Sequence, residues 1–285
     1  MLGHSGEDHD ATVVGVIGAR GGTGASVLAA AIARVAAAGG AQTALVDADL
    51  TGGGLDVLLG IEDEGGLRWP DLHAARGEVG GDELAALLPA WRGARVLSAD
   101  RRRPEGLVGD APADVVRALA RAHEVVVVDL CRHDLARHGT AHLDPARRDG
   151  GSDDGAGQAV GLAVAARCTV IVVVATRDLG SVAGALALRG AVELVAPGAP
   201  VGMVVRGPAV GGLTAHDVAG AAGLDLWAEI RSDPALPGAL ERGEGPAARV
   251  RRGRRGDLGR SAGVILDHAR AVRRASSDPT TRRRR

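Results

Sequence analysis

A glycine-rich loop and three aspartates are the residues of this chain whose types and spacing point to one chemistry. Four glycines fall within the seven residues GARGGTG (18–24), between the apolar run TVVGVIG and an alanine-rich segment. Successive backbone N–H groups in a strand-to-helix turn form a concave anion site, which the helix dipole strengthens. The sequence therefore predicts that Gly21, Gly22 and Gly24 let the backbone approach phosphate oxygens closely.

The residues that follow this loop fit phosphate chemistry only in part. Ser26 falls on the first helical turn, where a hydroxyl can coordinate Mg²⁺. A phosphate-gripping loop of the usual form ends Gly-Lys-Ser or Gly-Lys-Thr, whereas this one ends Gly24-Ala25-Ser26. The chain has no lysine, and all 34 basic residues are arginine, so compositional drift explains a change to arginine but not to alanine. A plain tight turn and a dinucleotide fingerprint are the alternatives for the loop, and the second has no clean Gly-x-Gly-x-x-Gly match.

The elements that must position these residues alternate between strands and helices along the chain. Apolar runs of strand length separated by helical segments predict βαβ units, and hence a single-domain α/β fold: a doubly wound, mostly parallel sheet flanked by helices. The predicted strands are 12–18, 42–47, 94–97, 124–129, 169–175, 200–205 and 226–230. The predicted helices are 24–38, 69–76, 82–90, 113–122, 157–167, 179–195, 214–222, 234–242 and 257–274. Asp233-Pro234 is interpreted as the N-cap and first residue of one of these helices.

Three motifs together resemble the MinD/ParA superfamily of P-loop ATPases. GARGGTGAS is similar to its deviant Walker A loop, with Arg20 at the signature lysine and Ala25 at the Walker lysine. ALVDADLTGGGLDVLLG (44–60) is similar to its second strand and switch I, with acidic positions at Asp47 and Asp49. EVVVVDL (124–130) is similar to Walker B and ends at Asp129.

The resemblance implies a role for each matching residue. The nucleotide-binding residues are expected to be the run Arg20, Gly21, Gly22, Thr23, Gly24, Ala25, Ser26 and Val27. Ser26 and Asp129 are expected to hold Mg²⁺, and Asp49 to orient the attacking water. For Asp49 and Asp129 the alternative is a helix cap at the end of a parallel strand. Arg20 can grip phosphate bidentately and compensate in part, whereas Ala25 cannot.

Within that superfamily the chain is most similar to the CpaE/TadZ branch, including the actinobacterial CpaE-like proteins described as septum-site-determining. The matching stretches are GLRWPDL (66–72), ARVLSADR (94–101), VVRGPAVGGLTAHDVAGAAGL (204–224) and PALPGALERGEGP (234–246). About a dozen residues precede the first strand, so the resemblance does not extend to a receiver-like N-terminal domain.

Charge is distributed unevenly along the chain. Residues 249–285 contain 13 arginines and three aspartates, a net charge of +10, whereas the net charge of the whole chain is −1. Such asymmetry predicts contact with an anionic surface. The stretch RVRRGRR (249–255) has no aromatic residues to stack bases, so a solvated linker or a membrane-surface contact is favoured and a nucleic-acid partner is not expected. With two cysteines, no secretory leader and no apolar run near 18 residues, we expect a cytoplasmic protein, peripheral at the inner face of the plasma membrane.

Domain organisation follows from the same patterns. We expect a disordered N-terminus at 1–11, one P-loop domain at 12–274 and a disordered basic tail at 275–285. Within the domain, 131–157 is interpreted as a loop insertion. Its Cys131, His133, His138 and His142 match no recognised zinc-finger spacing and are interpreted as polar loop residues.

The function implied by the resemblance is that of a spatial regulator. It would localise a Tad/Flp pilus or secretion apparatus, or regulate septum-site placement, through protein partners and a nucleotide-dependent homodimer. With both lysine positions replaced, we expect weak binding of ATP and Mg²⁺ and weak or no ATP hydrolysis. The alternatives are an active ParA/MinD-type ATPase that cycles on the membrane or nucleoid, and a DNA-binding partition factor. The missing aromatic and helix-turn-helix signals disfavour the latter.

Overall fold

The parts of the chain whose structure is described cover most of the alternating pattern. The computed structural model describes residues 11–50, 52–72, 80–100, 102–103, 111–135, 161–209, 211–246, 250–251 and 254–277. Residues 1–10 of the predicted N-terminal segment (1–11), 136–157 of the predicted insertion (131–157) and 278–285 of the predicted tail lie outside the described residues.

An eight-stranded sheet forms the centre of the fold. Its strands are β1 (Thr12–Gly18), β2 (Thr43–Asp47), β3 (Ala90–Trp91), β4 (Ala94–Leu97), β5 (Val125–Leu130), β6 (Val170–Thr176), β7 (Val201–Arg206) and β8 (Asp225–Ile230). The strand order is β3-β4-β2-β5-β1-β6-β7-β8, and every pair is parallel except β3 with β4. Two short strands, β9 (Val250–Arg251) and β10 (Arg254–Arg255), form a separate antiparallel pair.

Helices cover both faces of the sheet. They are α1 (Ala25–Ala38), α2 (Leu55–Leu59), α3 (Gly81–Leu87), α4 (Ala111–Ala122), α5 (Leu179–Val195), α6 (Ala215–Ala222), α7 (Leu236–Glu241) and α8 (Asp257–Ser277). A one-turn 3₁₀ helix lies at Trp69–Leu72, and residues 132–135 and 161–165 are also helical.

Two apolar cores result, one on each face. One packs α4, α5 and α6 against the sheet, and the other packs α1 and α8 against the opposite face. Both are built from Val, Leu, Ile and Ala, as expected for a chain without Phe or Tyr. The central strands are buried along their whole length, because helices cover both of their faces. The predicted fold class, a doubly wound single-domain sheet, is confirmed.

The predicted elements differ from the observed ones at a few positions. Each predicted strand begins and ends within one residue of the observed strand, but β3, β9, β10, α2 and the helical turn at 132–135 were not predicted. Asp233-Pro234 does not begin a helix: α7 starts at Leu236, and the Asp233 carboxylate accepts a hydrogen bond from the Ala235 N–H at 2.9 Å. The last helix extends to Ser277, which places residues 275–277 of the predicted tail in helix.

Candidate functional site

The loop between β1 and α1 turns tightly, and its glycines are required by its geometry. Gly22 and Gly24 have φ of 76° and 90°, a region that favours glycine. At Gly18 a side chain would collide, because a Cβ there would lie 2.6 Å from Thr23 Oγ1. The Thr23 hydroxyl closes the loop by donating to the Arg20 carbonyl at 3.2 Å. Gly24 is the N-cap of α1 and offers no side chain to the first-turn N–H groups, which leaves them available to a ligand.

All the residues that the sequence assigned to the site line one cavity of about 920 Å³. They are Arg20, Gly21, Gly22, Thr23, Gly24, Ala25, Ser26, Val27, Asp49 and Asp129. The cavity lies at the carboxyl ends of the strands, which is where ligands bind in open α/β sheets. The contacts of the groups that line the cavity decide which ligand it suits.

An acidic cluster lies beside the loop, at the ends of two neighbouring strands. Asp47 on β2 and Asp129 on β5 are paired in register, and both are buried. The Ser26 side chain forms a hydrogen bond with the Asp129 carboxylate, so the predicted Mg²⁺ ligands are adjacent. Burial raises the pKa of Asp129 to about 8, with the Asp47 charge adding to the shift. Burial also raises the pKa of Asp47 to about 7.

These groups suit a magnesium ion that is shared with a phosphate. A carboxylate and a hydroxyl are the hard oxygen ligands that Mg²⁺ prefers. In the described part of the chain no group of three or more His, Cys, Asp or Glu side chains is placed to hold a metal ion by itself. A Mg²⁺ ion at Ser26 and Asp129 would therefore complete its coordination shell with water and phosphate oxygens, which is its usual mode in phosphoryl-transfer sites.

Asp47 organises the segment that carries Asp49. Its carboxylate accepts hydrogen bonds from the Asp49 N–H at 3.0 Å and from the Leu55 N–H at 2.9 Å. Its carbonyl accepts from the Trp69 indole N–H at 2.6 Å. Asp47 is thus a positioning residue, which holds Asp49 at the cavity wall and fixes the start of α2.

Arg20 lines the cavity and contacts both the loop and α5, since its Nη1 donates to the Gly21 carbonyl at 3.3 Å. Its guanidinium donates to both carboxylate oxygens of Asp178, at 3.2 and 2.9 Å, and to the Thr176 hydroxyl at 3.1 Å. Asp178 is also the N-cap of α5, where it accepts from the Ser181 N–H at 2.9 Å. The hydrogen bond from Arg20 holds the pKa of Asp178 well below its ordinary value. The expected compensation by Arg20 for the missing lysine stays a prediction, and the Asp178 pair occupies part of its guanidinium.

A second arginine, which sequence reasoning did not single out, also contacts the loop. Arg206 ends β7, and its Nη2 donates to the Gly22 carbonyl at 3.3 Å. Its side chain lies over Gly24, with three atoms 3.9 Å from where a Cβ of that residue would stand. The available signal was its position, since a charged residue that ends a buried parallel strand lies at the ligand-binding edge of the sheet.

The walls of the cavity away from the loop combine apolar and charged side chains. They come from α1, from the segment after β8, and from α7 and α8. Their apolar residues include Leu28, Val35, Leu58, Ile230, Leu236, Leu240 and Leu258, and their charged residues are Arg34, Arg231, Asp233 and Asp257. A cavity with both apolar and charged walls suits a ligand of mixed character, such as a nucleotide.

Among the residues with described structure, no helix combines the length and the apolar character required to cross a membrane.

Sequence comparison finds relatives without an assigned activity. No protein-family model matches the chain. Two uncharacterized proteins of Mycobacterium tuberculosis, MT3760 and Rv3660c, are each 38% identical to it over 231 residues. The match covers 81% of this chain and 57% of each relative, so the chain spans a little over half the length of the curated relatives it matches.

Structure comparison relates the fold to proteins of known architecture. A ParA family ATPase from Chlorobium tepidum matches with a TM-score of 0.70 and 18% identity, over 92% of this chain and 98% of that one. The septum site-determining protein MinD of Pyrococcus horikoshii, solved with Mg-ADP, matches with a TM-score of 0.67 and 15% identity, over 94% and 98%. A chain of the MinC:MinD cell division complex of Aquifex aeolicus matches with a TM-score of 0.63 and 18% identity, over 92% and 96%. The chain therefore has the fold of the ParA and MinD ATPases.

Proposed function

We propose that this protein is a degenerate MinD/ParA-like spatial regulator of the CpaE-like branch, with weak binding of Mg-ATP and weak or no ATP hydrolysis. It acts by contacting proteins of a Tad/Flp pilus or secretion apparatus, or of the division septum. The supporting observation is a cavity that keeps the Ser26–Asp129 contact for Mg²⁺ while Ala25 stands where the resemblance places the Walker lysine.

Each retained group has a task in nucleotide binding. The N–H groups at the start of α1 and of the glycine loop bind phosphate oxygens. Ser26 and Asp129 hold the magnesium ion, which neutralises phosphate charge. Asp49, held by Asp47, orients water. What the site lacks is a cation at position 25, at the start of α1, and preorganised charge acts most strongly on the transition state, so hydrolysis suffers more than binding.

Contact with partner proteins is supported by an exposed apolar stripe on α5. Leu179, Leu186 and Leu194 are 77%, 49% and 52% exposed, and they recur at helical spacing on one face. Exposed apolar residues grouped in this way favour a protein contact over a solvated surface. Two classes of partner are proposed for this stripe: a second copy of the chain, in a nucleotide-dependent homodimer, and a protein of the apparatus.

The location proposed for the protein is the cytoplasm, peripheral at the inner face of the plasma membrane. The support is the arginine-rich C-terminal region, since a basic segment is attracted to anionic lipid by about 1 kcal/mol per residue near the surface.

An active ATPase that cycles on the membrane or nucleoid is the second candidate. The observation that favours it is the intact geometry of Ser26, Asp129 and Asp49 around the loop. The two candidates differ in the affinity and turnover that they require.

The test is a calorimetric titration with Mg-ATP, together with an ATP hydrolysis assay, on the wild-type chain and on Ala25→Lys. A lysine at position 25 restores a charge-assisted contact worth about 1.5–3 kcal/mol, so affinity should rise about ten- to hundredfold. Ala187→Lys is the matched control, because it adds the same charge at an exposed position of α5 outside the cavity.

Two outcomes contradict the proposal in different ways. Micromolar affinity and ready turnover by the wild type would favour the active ATPase. If Ala25→Lys gains no more than Ala187→Lys does, the cavity is not a nucleotide site and the fold serves protein contacts alone.

A further inference from the structure

Arg206 reaches the glycine loop from a strand that is not adjacent to the loop's own strand. In the sheet β6 separates β7 from β1, yet the Arg206 guanidinium donates to Gly22 and its side chain lies over Gly24. Gly24 has no side chain that would keep Arg206 away from the loop, and the φ of 90° at Gly24 disfavours any other residue there. The loop and Arg206 therefore form one surface of the cavity.

Arg206 has donor capacity that the protein does not use. Its Nε is buried and has no hydrogen-bond partner. A buried N–H without an acceptor is costly, and native structures rarely leave one unless a ligand, ion or water completes it. A guanidinium carries five N–H donors in a planar fork that matches two oxygens of a phosphate.

Arg20 also donates to the loop backbone, through its Nη1 to the Gly21 carbonyl at 3.3 Å, but its remaining donors are paired with the Asp178 carboxylate. Arg231 is 85% exposed and lies 3.6 Å from Asp257. Of the two arginines that donate to loop carbonyls, Arg206 is the one that forms no ion pair with a described carboxylate.

We infer that Arg206 binds the phosphate chain of the nucleotide and supplies, from β7, the positive charge that α1 lacks at position 25. This inference rests on the proposed function, since it assigns a residue to the same site. The guanidinium donates from Nε and the free Nη hydrogens to phosphate oxygens while Nη2 keeps its bond to Gly22. The ligand class is an Mg²⁺-bound polyphosphate, and the contact is with its phosphates and not with the base.

The experiment is a calorimetric titration of the full chain with two probes, Mg-ATP and Mg-tripolyphosphate. Arg206→Ala should weaken binding of both probes by the same factor, about ten- to hundredfold. Arg206→Lys should recover part of the loss, because it keeps the charge without the fork.

Arg177→Ala is the matched control. Arg177 follows β6 as Arg206 ends β7, and its Nε is also buried without a partner, but its guanidinium pairs with Glu229 and it does not line the cavity. It should bind both probes within twofold of the wild type. Circular dichroism at the titration temperature verifies that each variant is folded.

A double variant tests whether Arg206 stands in for the missing lysine. If two cations compete for the same oxygens, Ala25→Lys should gain more affinity in the Arg206→Ala background than in the wild type.

The possible results separate the two proposals. If Arg206→Ala binds both probes within threefold of the wild type, the assignment of Arg206 is wrong and the proposed function stands. If it loses Mg-ATP but not Mg-tripolyphosphate, Arg206 contacts the base and the assignment is again wrong. If the wild type binds neither probe at millimolar concentration, both proposals fail together.

Discussion

Helix α5 approaches the start of the glycine loop so closely that one added methyl group should disturb it. A Cβ at Gly184 would lie 1.9 Å from the Ala19 carbonyl oxygen, where ordinary contact begins at 3.4 Å. Helix and loop would have to separate by about 1.5 Å, and both sides of the contact are backbone. Overpacking of this kind costs about 1–3 kcal/mol. We expect the upper end of this range, because two backbone segments cannot relieve the collision by a change of rotamer, as a flexible side chain can.

Gly190 on the same helix is the internal control. A Cβ there meets nothing within 4 Å, so Gly190→Ala keeps only the gain in helix propensity, about 1 kcal/mol. Gly184→Ala gains the same propensity and loses about 3 kcal/mol to the collision, a net loss of about 2 kcal/mol. At about 2–4 °C per kcal/mol for a chain of this size, the midpoints of thermal unfolding should differ by about 6–12 °C.

Urea and thermal denaturation, followed by circular dichroism, measure both variants against the wild type. Gly190→Ala should raise the midpoint and Gly184→Ala should lower it. If the two alanines shift the midpoint in the same direction by similar amounts, α5 does not contact the loop as described. The reasoning about how the loop is supported would then have to be abandoned.

Three further results are expected. The Cys168 thiol is buried, and burial raises its pKa to about 12. A maleimide should therefore leave Cys168 unmodified in the native protein at pH 8 and label it in urea. Labelling at equal rates under the two conditions would contradict its burial. Because Arg20 lowers the pKa of Asp178 in the folded state, their pairing stabilises the protein above the ordinary aspartate range near pH 4 and fades below it. Both groups are over a third exposed, so Arg20→Met should cost under about 1 kcal/mol in urea titrations at pH 6, and the cost should shrink toward pH 2; a cost that grows on acidification would refute this. A chain ending at Ser277 should bind anionic vesicles less than the full chain does at low salt. The difference should disappear near 1 M salt, where the screening length falls to about 3 Å. Equal binding at low salt would show that Arg282–Arg285 do not contribute.

The sheet was predictable because each of its longer strands is marked by a local sequence pattern. Runs such as VVVVDL and VIVVVAT have no helical period, and β-branched residues favour buried strands. The missed elements are too short to carry such a signal. β3, β9 and β10 have two residues each, and α2 has five, after Gly54 with a φ of 83°.

The candidate site was predictable only where the chain itself brings residues together. The loop residues and Ser26 are consecutive, and Asp129 ends a recognisable strand. The contacts of Arg20 with Asp178 and of Arg206 with Gly22 join residues 158 and 184 positions apart. The sequence places Arg20 in the loop and Arg206 at the end of a strand, but neither position identifies the partner, so the partners follow only from the folded arrangement.

The central place of β1 has a consequence for the order in which the protein can fold during synthesis. β1 is made early, yet its partners in the sheet are β5 and β6, more than a hundred residues later in the chain. The loop needs more than the strand pairing, because the Ala19 N–H donates to the Val174 carbonyl and Arg20 to Asp178. Until the ribosome has released residues to about 130, β1 has no neighbouring strand, and until about 178 the loop lacks its own partners. The apolar strand β1 therefore stays unpaired at first, in the state most open to aggregation and to chaperone binding.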